Sequence, residues 1–289
     1  MSSIFSDSVK KILLDAEKCV KVPQNYSGEL FTGVDLGTAY VVLMVVDSTG
    51  KPVAGAYKFA QVVKDGVVVD FTGAMRIVKE LKANIEKKLN TELVKAAAAY
   101  PPETGKSVVK SHFYVTEGAG FEVLNMVDEP TAANYVLNIS DGAVVDIGGG
   151  TTGIAVVKNG EVVYTADEPT GGTHFSLVIA GAKKISFEEA EEFKKDPVNK
   201  KEVIALVKPC IQKVAEIIRR HIRGFKVDAV YLVGGTCCLD GIEDIISKEI
   251  DLPVYKPINP FYVTPLGIAL SCIGVKEYGD FEGRGTKIY

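Results

Sequence analysis

Several things are scarce in this chain, and each scarcity excludes something. There is no excess of basic charge. The 33 Lys and Arg stand against 37 Asp and Glu, giving a formal net charge of −4, and such a balance leaves no electrostatic footprint for nucleic acid. The five cysteines (Cys19, Cys210, Cys237, Cys238 and Cys272) are odd in number, scattered, and without a CxxC pair. That spacing argues against a zinc site, an iron–sulfur cluster or a dense disulfide framework. Reduced thiols are the expectation, with Cys237 and Cys238 read as small residues packed beside a turn. No apolar run approaches the length that spans a bilayer, and the N-terminus carries no signal-peptide core. A soluble, cytoplasmic protein is therefore expected.

What is present is enough for two domains of ordinary size in 289 residues, with 47% hydrophobic and 24% charged residues leaving no call for disorder. One motif occurs twice. GVDLGTAYVVLMVVDSTGKPV begins at Gly33, and VVDIGGGTTGIAVVKNGEVV begins at Val144. Each copy is an apolar strand ending in Asp, a glycine turn, a second apolar strand, and another turn before a third strand. Overlaying Asp35 on Asp146 keeps the next turns, Thr49-Gly50 and Asn159-Gly160, in step to within one residue. A duplicated hairpin of this kind predicts two like domains whose carboxylates and glycine turns converge on one cleft.

A glycine turn lets successive backbone N–H groups crowd around an anion. A carboxylate beside it repels phosphate unless a hard, oxygen-seeking cation such as Mg²⁺ lies between. Asp35 and Asp146 with their turns thus read as a nucleotide clamp. For one copy alone, an Asp capping a tight hairpin is the better account, and the in-register pair reverses that preference. A third turn, LVGGTC at residues 232–237, ends a strand in Gly234 and Gly235 and would let a flat nucleoside lie against backbone. In VDEPTAANY, Glu129 precedes Pro130 at a strand-to-helix junction. Locally it reads as an acid favoured by the helix dipole; functionally, it would orient a water for attack on a γ-phosphate.

Along the chain, residues 4–20 have helical apolar spacing and are followed by a Pro/Asn/Gly linker. Such a helix either docks on its own protein or lies in a partner's groove. Strands are expected over 30–69, a helix over 73–89, a buried strand over 96–100, a strand over 122–127 and a helix from 129 to 136. Residues 103–120 carry no assignable pattern. The second strand set spans 144–167, with helices over 174–183, 187–194 and 202–223, a strand at 228–235, helices over 239–248 and 264–273, and a polar tail over 276–289. Strand sets followed by helices, twice over, describe an α/β protein of two lobes.

In order, DLGT, EPTAA, DIGGGT and LVGGT resemble the sugar kinase, Hsp70 and actin superfamily. The best fit is to the Hsp70 nucleotide-binding domain and to the EutJ family of chaperone-like ethanolamine-utilisation proteins. The EutJ resemblance covers nearly the whole chain, through GVDLGT, VVKDGVVVDF, YPPETG, VLNMVDEPTAA, ISFEEAEEFK, VKPCIQKVAEIIRRHI and TPLGIALS among others. Bacterial actin-like proteins carry a stretch similar to VKDGVVVDF.

The resemblance implies a two-lobed actin-like/Hsp70-like ATPase fold with duplicated RNase H-like domains and an interdomain nucleotide cleft. The lobes would occupy about 30–140 and 141–275, between an N-terminal helix and linker (1–29) and a C-terminal tail (276–289). It implies ATP or ADP with Mg²⁺ as ligands. Asp35 and Asp146 would hold the metal through water and share in catalysis with Glu129, which would position the hydrolytic water. Gly37, Thr38, Ala39 and Tyr40, with Gly148, Gly149, Gly150 and Thr151, would line the phosphates. Gly234, Gly235, Thr236 and Cys237 would line the adenosine.

Ala39 departs from the Hsp70 pattern, which has a second threonine there. Lys64 and Lys106 match the catalytic lysine only by rough position, and Lys213, Glu216 and Arg220 are the candidates for packing on adenine. The segment after the last expected helix is too short for the Hsp70 peptide-binding domain and lid. A chaperone of this kind would work with its ATPase lobes or through a partner. The implied role is a nucleotide-driven chaperone or assembly factor, with a client protein, enzyme subunits of the ethanolamine pathway or a microcompartment shell as partner and the cytoplasm or a bacterial microcompartment as location. A non-hydrolysing adaptor and a small-molecule kinase are the alternatives.

Overall fold

A computed structural model describes residues 4–274; the expected tail over 276–289 lies outside them. Helix α1 (Asp7–Lys21) starts at Ser6, whose hydroxyl accepts from the Val9 amide at 3.3 Å. Phe5, Val9, Leu13, Ala16 and Cys19 form the buried stripe that the spacing predicts. That stripe is already covered by the protein itself, with Cys19 Sγ 3.7 Å from Met44 Sδ and the Phe5 ring edge-on to Tyr231 at 6.0 Å. Of the two fates open to such a helix, the structure shows internal docking.

The duplicated motif folds into two sheets of one topology. Strands β1 (Leu30–Leu36), β2 (Tyr40–Asp47) and β3 (Pro52–Phe59) form an antiparallel meander. A short hairpin, β4 (Val63–Lys64) and β5 (Val67–Val68), and helix α2 (Phe71–Leu89) lead to β6 (Lys95–Tyr100), parallel to β1. Helix α3 (Lys106–Gly118) then returns the chain to β7 (Glu122–Asp128), and α4 (Glu129–Leu137) closes the first half. The second half repeats the plan with β8 (Gly142–Ile147), β9 (Thr152–Lys158) and β10 (Glu161–Glu168). Helices α5 (Gly172–Lys183), α6 (Phe187–Lys195) and α7 (Lys200–Ile222) precede β11 (Val230–Val233). Helix α8 (Ile242–Ile250), β12 (Val254–Tyr255) and α9 (Val263–Leu270) complete it. The sheet orders are β3-β2-β1-β6-β7 and β10-β9-β8-β11-β12. Asp35 and Asp146 are each the penultimate residue of the corresponding strand, β1 or β8.

Helix α3 occupies the stretch without an assignable pattern. Its buried positions are Val109, His112, Val115 and Thr116, so two of the four inward residues are polar, and Gly105 at its start offers no side-chain cap. His112 is satisfied locally, with Nδ1 2.8 Å from the Ala99 carbonyl and Nε2 3.0 Å from the Gly66 carbonyl in the β4–β5 turn.

Each half sends its last helix across the middle. Helix α9 packs on β1, while α4 packs on β8 and β9, and the two helices cross in contact. A Cβ on Gly267 would fall 1.8 Å from the Ala132 carbonyl oxygen, so only glycine permits this crossing. Three apolar clusters result: one inside each lobe, and a third between the sheets that joins α1, α4 and α9. This arrangement aims the C-terminal ends of β1 and β8 at each other.

Candidate functional site

The turns after β1 and β8 meet. An ideal Cβ on Gly149 would lie 2.9 Å from Ala39 Cβ, and one on Gly150 would lie 2.5 Å from Thr38 Oγ1. Gly149 and Gly150 of DIGGGT are therefore required by the close approach of the other turn, a signal the sequence carries only once both copies are set face to face.

The second turn is braced on several sides. The Gly148 carbonyl accepts from Thr236 Oγ1 at 2.7 Å and from the Gly172 amide at 2.9 Å, and the Gly149 carbonyl accepts from the Thr173 amide at 2.7 Å. Thr264, early in α9, donates its hydroxyl to Asp146 Oδ2. Gly234 adopts φ +91°, and a Cβ there would sit 2.2 Å from Asp146 Oδ1. The third glycine turn thus closes over the Asp146 carboxylate.

Glu129 is the first residue of α4. Its place is set by Asp128, whose carboxylate caps the helix by accepting from the Thr131 amide at 3.0 Å, and by Pro130 in the first turn. Burial and the Asp146 charge hold Asp35 well above the usual carboxylate range. Burial raises Asp146 as well, offset in part by the Thr264 hydroxyl. Glu129 is raised by burial and by the charges of Asp146, Asp35, Asp167 and Asp128. Asp167, on β10 opposite Gly153, is pushed up to about 7, mainly by burial, and its Oδ1 is buried without a hydrogen-bond partner. Four acids raised first by burial, three of them also by neighbouring carboxylates, form a site that gains from a cation. The donor set is all oxygen, the kind that suits Mg²⁺. Among the described residues no group of three or more acidic, His or Cys side chains is close enough to ligate a metal directly. What the side chains fit is a hydrated ion held by Asp35 and Asp146.

Above these acids lies a cavity of about 430 Å³ between the lobes. Its walls include Asp35, Glu129, Asp146, and the three turns from Gly37 to Tyr40, Gly148 to Thr151 and Gly234 to Thr236. Cys237 does not reach it: the side chain is fully buried and its Sγ contacts the Val233 carbonyl at 2.9 Å. The neighbouring Cys238 lines the cavity instead. Because residues 235–238 wind into a 3-10 turn, successive side chains point in different directions, which a reading by strand and loop does not resolve.

The cavity's lysines also lie elsewhere than expected. Lys64 and Lys106 are not on its wall; Lys194, Lys195 and Lys200 are. Lys194 Nζ donates to Glu191 Oε1 at 2.6 Å, Ser176 Oγ at 2.7 Å and the Gly172 carbonyl at 3.0 Å. Burial works to raise Glu191, but the Lys194 charge and hydrogen bonds hold it below its ordinary value. Lys195 Nζ reaches across to the first lobe and lies 5.4 Å from the ring centres of both Tyr40 and Phe59. In sequence, FEEAEEFKK is an ordinary capped amphipathic helix, and nothing in it marks two lysines as cavity wall. Helix α7 offers Lys200 from its N-terminal end. Lys213, Glu216 and Arg220 lie further along; Glu216 and Arg220 border a separate depression at its C-terminal end.

Two like five-stranded sheets, joined by crossed helices and facing each other across paired Asp-Gly turns, are the two-lobed fold of actin-like and Hsp70-like ATPases. The family model for MreB/Mbl protein matches residues 49–189, and that for type IV pilus assembly protein PilM matches residues 133–268. MreB5 of Spiroplasma citri bound to ADP superposes with a TM-score of 0.67 at 17% identity, over 83% of this chain and 94% of that one, a likeness of fold. Ethanolamine utilization protein EutJ of Escherichia coli is 43% identical over 257 residues, 89% of this chain and 91% of that protein. The crystal structure of EutJ from Carboxydothermus hydrogenoformans superposes with a TM-score of 0.86 at 48% identity, over 91% of this chain and 97% of that one. The chain belongs to the EutJ family of ethanolamine-utilisation proteins.

Proposed function

We propose that this protein binds ATP and ADP with Mg²⁺ in the interlobe cavity. In this reading it uses slow hydrolysis to switch a chaperone-like or assembly role in ethanolamine utilisation, with an enzyme of that pathway or a microcompartment shell as client. The observation that carries the reading is the convergence of both Asp-Gly turns and the buried acids Asp35, Glu129 and Asp146 on one cavity, all three held above the usual carboxylate range. That MreB5 of Spiroplasma citri is bound to ADP in the same fold supports the ligand class.

The metal, when bound, supplies charge neutralisation for the phosphates and for the acids around it. Asp35 and Asp146 orient its water shell, with Asp146 fixed by Thr264 and by the Gly234 turn. The turn from Gly148 to Thr151, braced through its carbonyls, and that from Gly37 to Tyr40 approach the phosphates. Glu129, carried on the rigid start of α4, accepts a hydrogen bond from the attacking water and orients it. Lys194 and Lys195 bring positive charge to the second-lobe side of the cavity. Tyr40, Tyr57 and Phe261 give the opposite wall an aromatic face.

The test separates the two acids. Asp146→Ala is expected to lower Mg²⁺-dependent nucleotide affinity, whereas Glu129→Ala spares affinity and lowers single-turnover hydrolysis by about 10²-fold or more. Equal loss of affinity in both variants refutes this division of labour. Ala39, which lacks the hydroxyl expected at that turn, favours a second reading, a nucleotide-binding adaptor that does not hydrolyse. Binding without detectable turnover in the wild type selects it.

A further inference from the structure

Helix α1 contributes no residue to the cavity wall, yet one of its side chains holds the segment from which several parts of that wall are built. Glu17 Oε2 accepts from Asn259 Nδ2 at 2.8 Å. Asn259 has φ +51° and starts the 3-10 turn Pro260–Tyr262, its carbonyl accepting from the Tyr262 amide at 3.1 Å. From this turn three contacts run into the cavity. The Pro260 carbonyl accepts from the Gly234 amide at 3.1 Å, which fixes the turn lying over Asp146. The Phe261 ring stands edge-on to Tyr40 and Tyr57, with centres 5.6 and 5.4 Å apart. Thr264, three residues further on, donates to the Asp146 carboxylate.

The helix and the residue just before its cap are seated on both lobes, through Phe5 on Tyr231 of β11 and Cys19 on Met44 of β2. Its buried apolar side chains suffice to keep it there, so Glu17 is not needed for docking. As a purely structural contact, Glu17–Asn259 would add a small increment of stability and nothing else. Its location predicts more: beside the apolar packing of Tyr262 and Val263 in the cluster that holds Leu13, Ala16 and Cys19, it is the side-chain hydrogen bond through which the position of α1 is passed to residues 259–264.

We propose that Glu17 and Asn259 are positioning residues for the nucleotide cavity, and that α1 sets nucleotide affinity by holding the 259–264 segment against the Gly234 turn, the aromatic wall and Asp146. Whatever shifts α1, such as a protein engaging its exposed flank at Leu14, then shifts affinity; by reciprocity, nucleotide shifts α1. The effect on affinity rests on the nucleotide-binding reading above, so the experiment carries a second readout that does not.

Full-length wild type, Glu17→Ala, Glu17→Gln and Lys21→Ala are titrated with Mg-ADP by calorimetry. In parallel, the labelling rate of Cys238 by Ellman's reagent is followed without nucleotide. Cys238 is exposed on the cavity wall while Cys19, Cys237 and Cys272 are buried, and its kinetic phase is identified by loss in Cys238→Ser. Glu17→Ala should weaken Mg-ADP about threefold to tenfold and change the Cys238 rate by a comparable factor. Glu17→Gln keeps an acceptor oxygen for Asn259, and Lys21→Ala removes only the 2.7 Å pairing with Glu17 Oε1; both should stay within about twofold of wild type.

A Glu17→Ala protein that melts lower but keeps wild-type affinity and labelling rate overturns the proposal. If the wild type takes up no Mg-ADP, the nucleotide reading fails and the labelling rate decides alone: a change restored in Glu17→Gln upholds the coupling, and no change ends it. Should Glu17→Ala not fold, Asn259→Gly removes the donor while tolerating the positive φ, and the same outcomes are read from it.

Discussion

The two Asp-Gly turns share a strand position and a sequence motif, and differ in how they are held. Asp146 receives the Thr264 hydroxyl, sits under the Gly234 turn, and is followed by a loop whose carbonyls are tied to Thr236 and to the start of α5. Among the described residues no hydroxyl plays Thr264's part for Asp35, and its turn is held by one backbone bond, from the Ala60 amide to the Ala39 carbonyl at 3.0 Å, and by the aromatic packing of Tyr40 on Tyr57, Phe59 and Phe261. Duplication supplied two carboxylates, and tertiary context made one a fixed platform and the other a compliant partner. If the cleft takes up nucleotide as proposed, this inequality suits closure on the ligand, since one wall can keep its geometry while the other moves.

The inequality is most sharply broken at glycine. Gly234→Ala places a Cβ at positive φ against the Asp146 carboxylate and should cost about 2–4 kcal/mol in urea unfolding. Gly37→Ala in the first turn, where a Cβ would lie 2.8 Å from the Tyr40 carbonyl oxygen, should cost less, about 1–2 kcal/mol, because that turn can yield. Equal costs would show that the two turns are equally rigid. Next in size, Thr264→Val leaves Asp146 without its donor and should destabilise by about 1–3 kcal/mol, measured the same way.

A pH titration sharpens the comparison further, because the first lobe alone places a buried histidine beneath its hairpin. Burial depresses His112, and its contacts with the Gly66 and Ala99 carbonyls only partly offset this. A group whose folded value is depressed stabilises the fold fully above its unfolded value, about 6.5 for imidazole. That contribution is lost as pH falls from there toward the folded value. The His112 contribution should therefore be lost below about pH 6.5, while the buried acids, whose folded values are raised, contribute in the opposite direction; the difference between the wild-type and His112→Gln profiles isolates the histidine and should shrink on acidification. The smallest effect belongs to Lys195, which spans the lobes over Tyr40 and Phe59. Lys195→Ala should lower stability by only about 0.5–1 kcal/mol, with Lys195→Arg retaining most of it.

Much of this was legible in the chain. Two strand sets in register predicted two like sheets, and apolar periodicity found α1, α2 and α7 to within a few residues. It found less where inward positions are polar, as at His112 and Thr116 of α3, or where a strand is two residues long, as in β12. The exchange of α4 and α9 between lobes left no periodic trace; its mark is the close approach at Gly267, visible only with Ala132 opposite. In the candidate site, the residues borne on repeated turns could be found because backbone chemistry demands glycine and Asp there. Asp167, Thr264, Lys194 and Lys195 could not, since an acid late in a strand or a lysine on an amphipathic helix reads as solvated surface until another lobe is set against it. Cys237 and Cys238 show the same limit at one-residue resolution.

If the interlobe cavity holds nucleotide through a metal set between Asp35 and Asp146, ligand, metal and carboxylate must act on stability together. Thermal unfolding of the wild type and of Asp146→Ala, with ATP at fixed concentration, in Mg²⁺ and in EDTA, decides the matter. A nucleotide at about 100 times its Kd adds about 2.7 kcal/mol of stability, so the wild type in Mg-ATP should melt several degrees higher, and the shift should vanish in EDTA and in the variant. An unchanged melting temperature in saturating Mg-ATP, or an equal shift in Asp146→Ala, would contradict nucleotide binding of this kind.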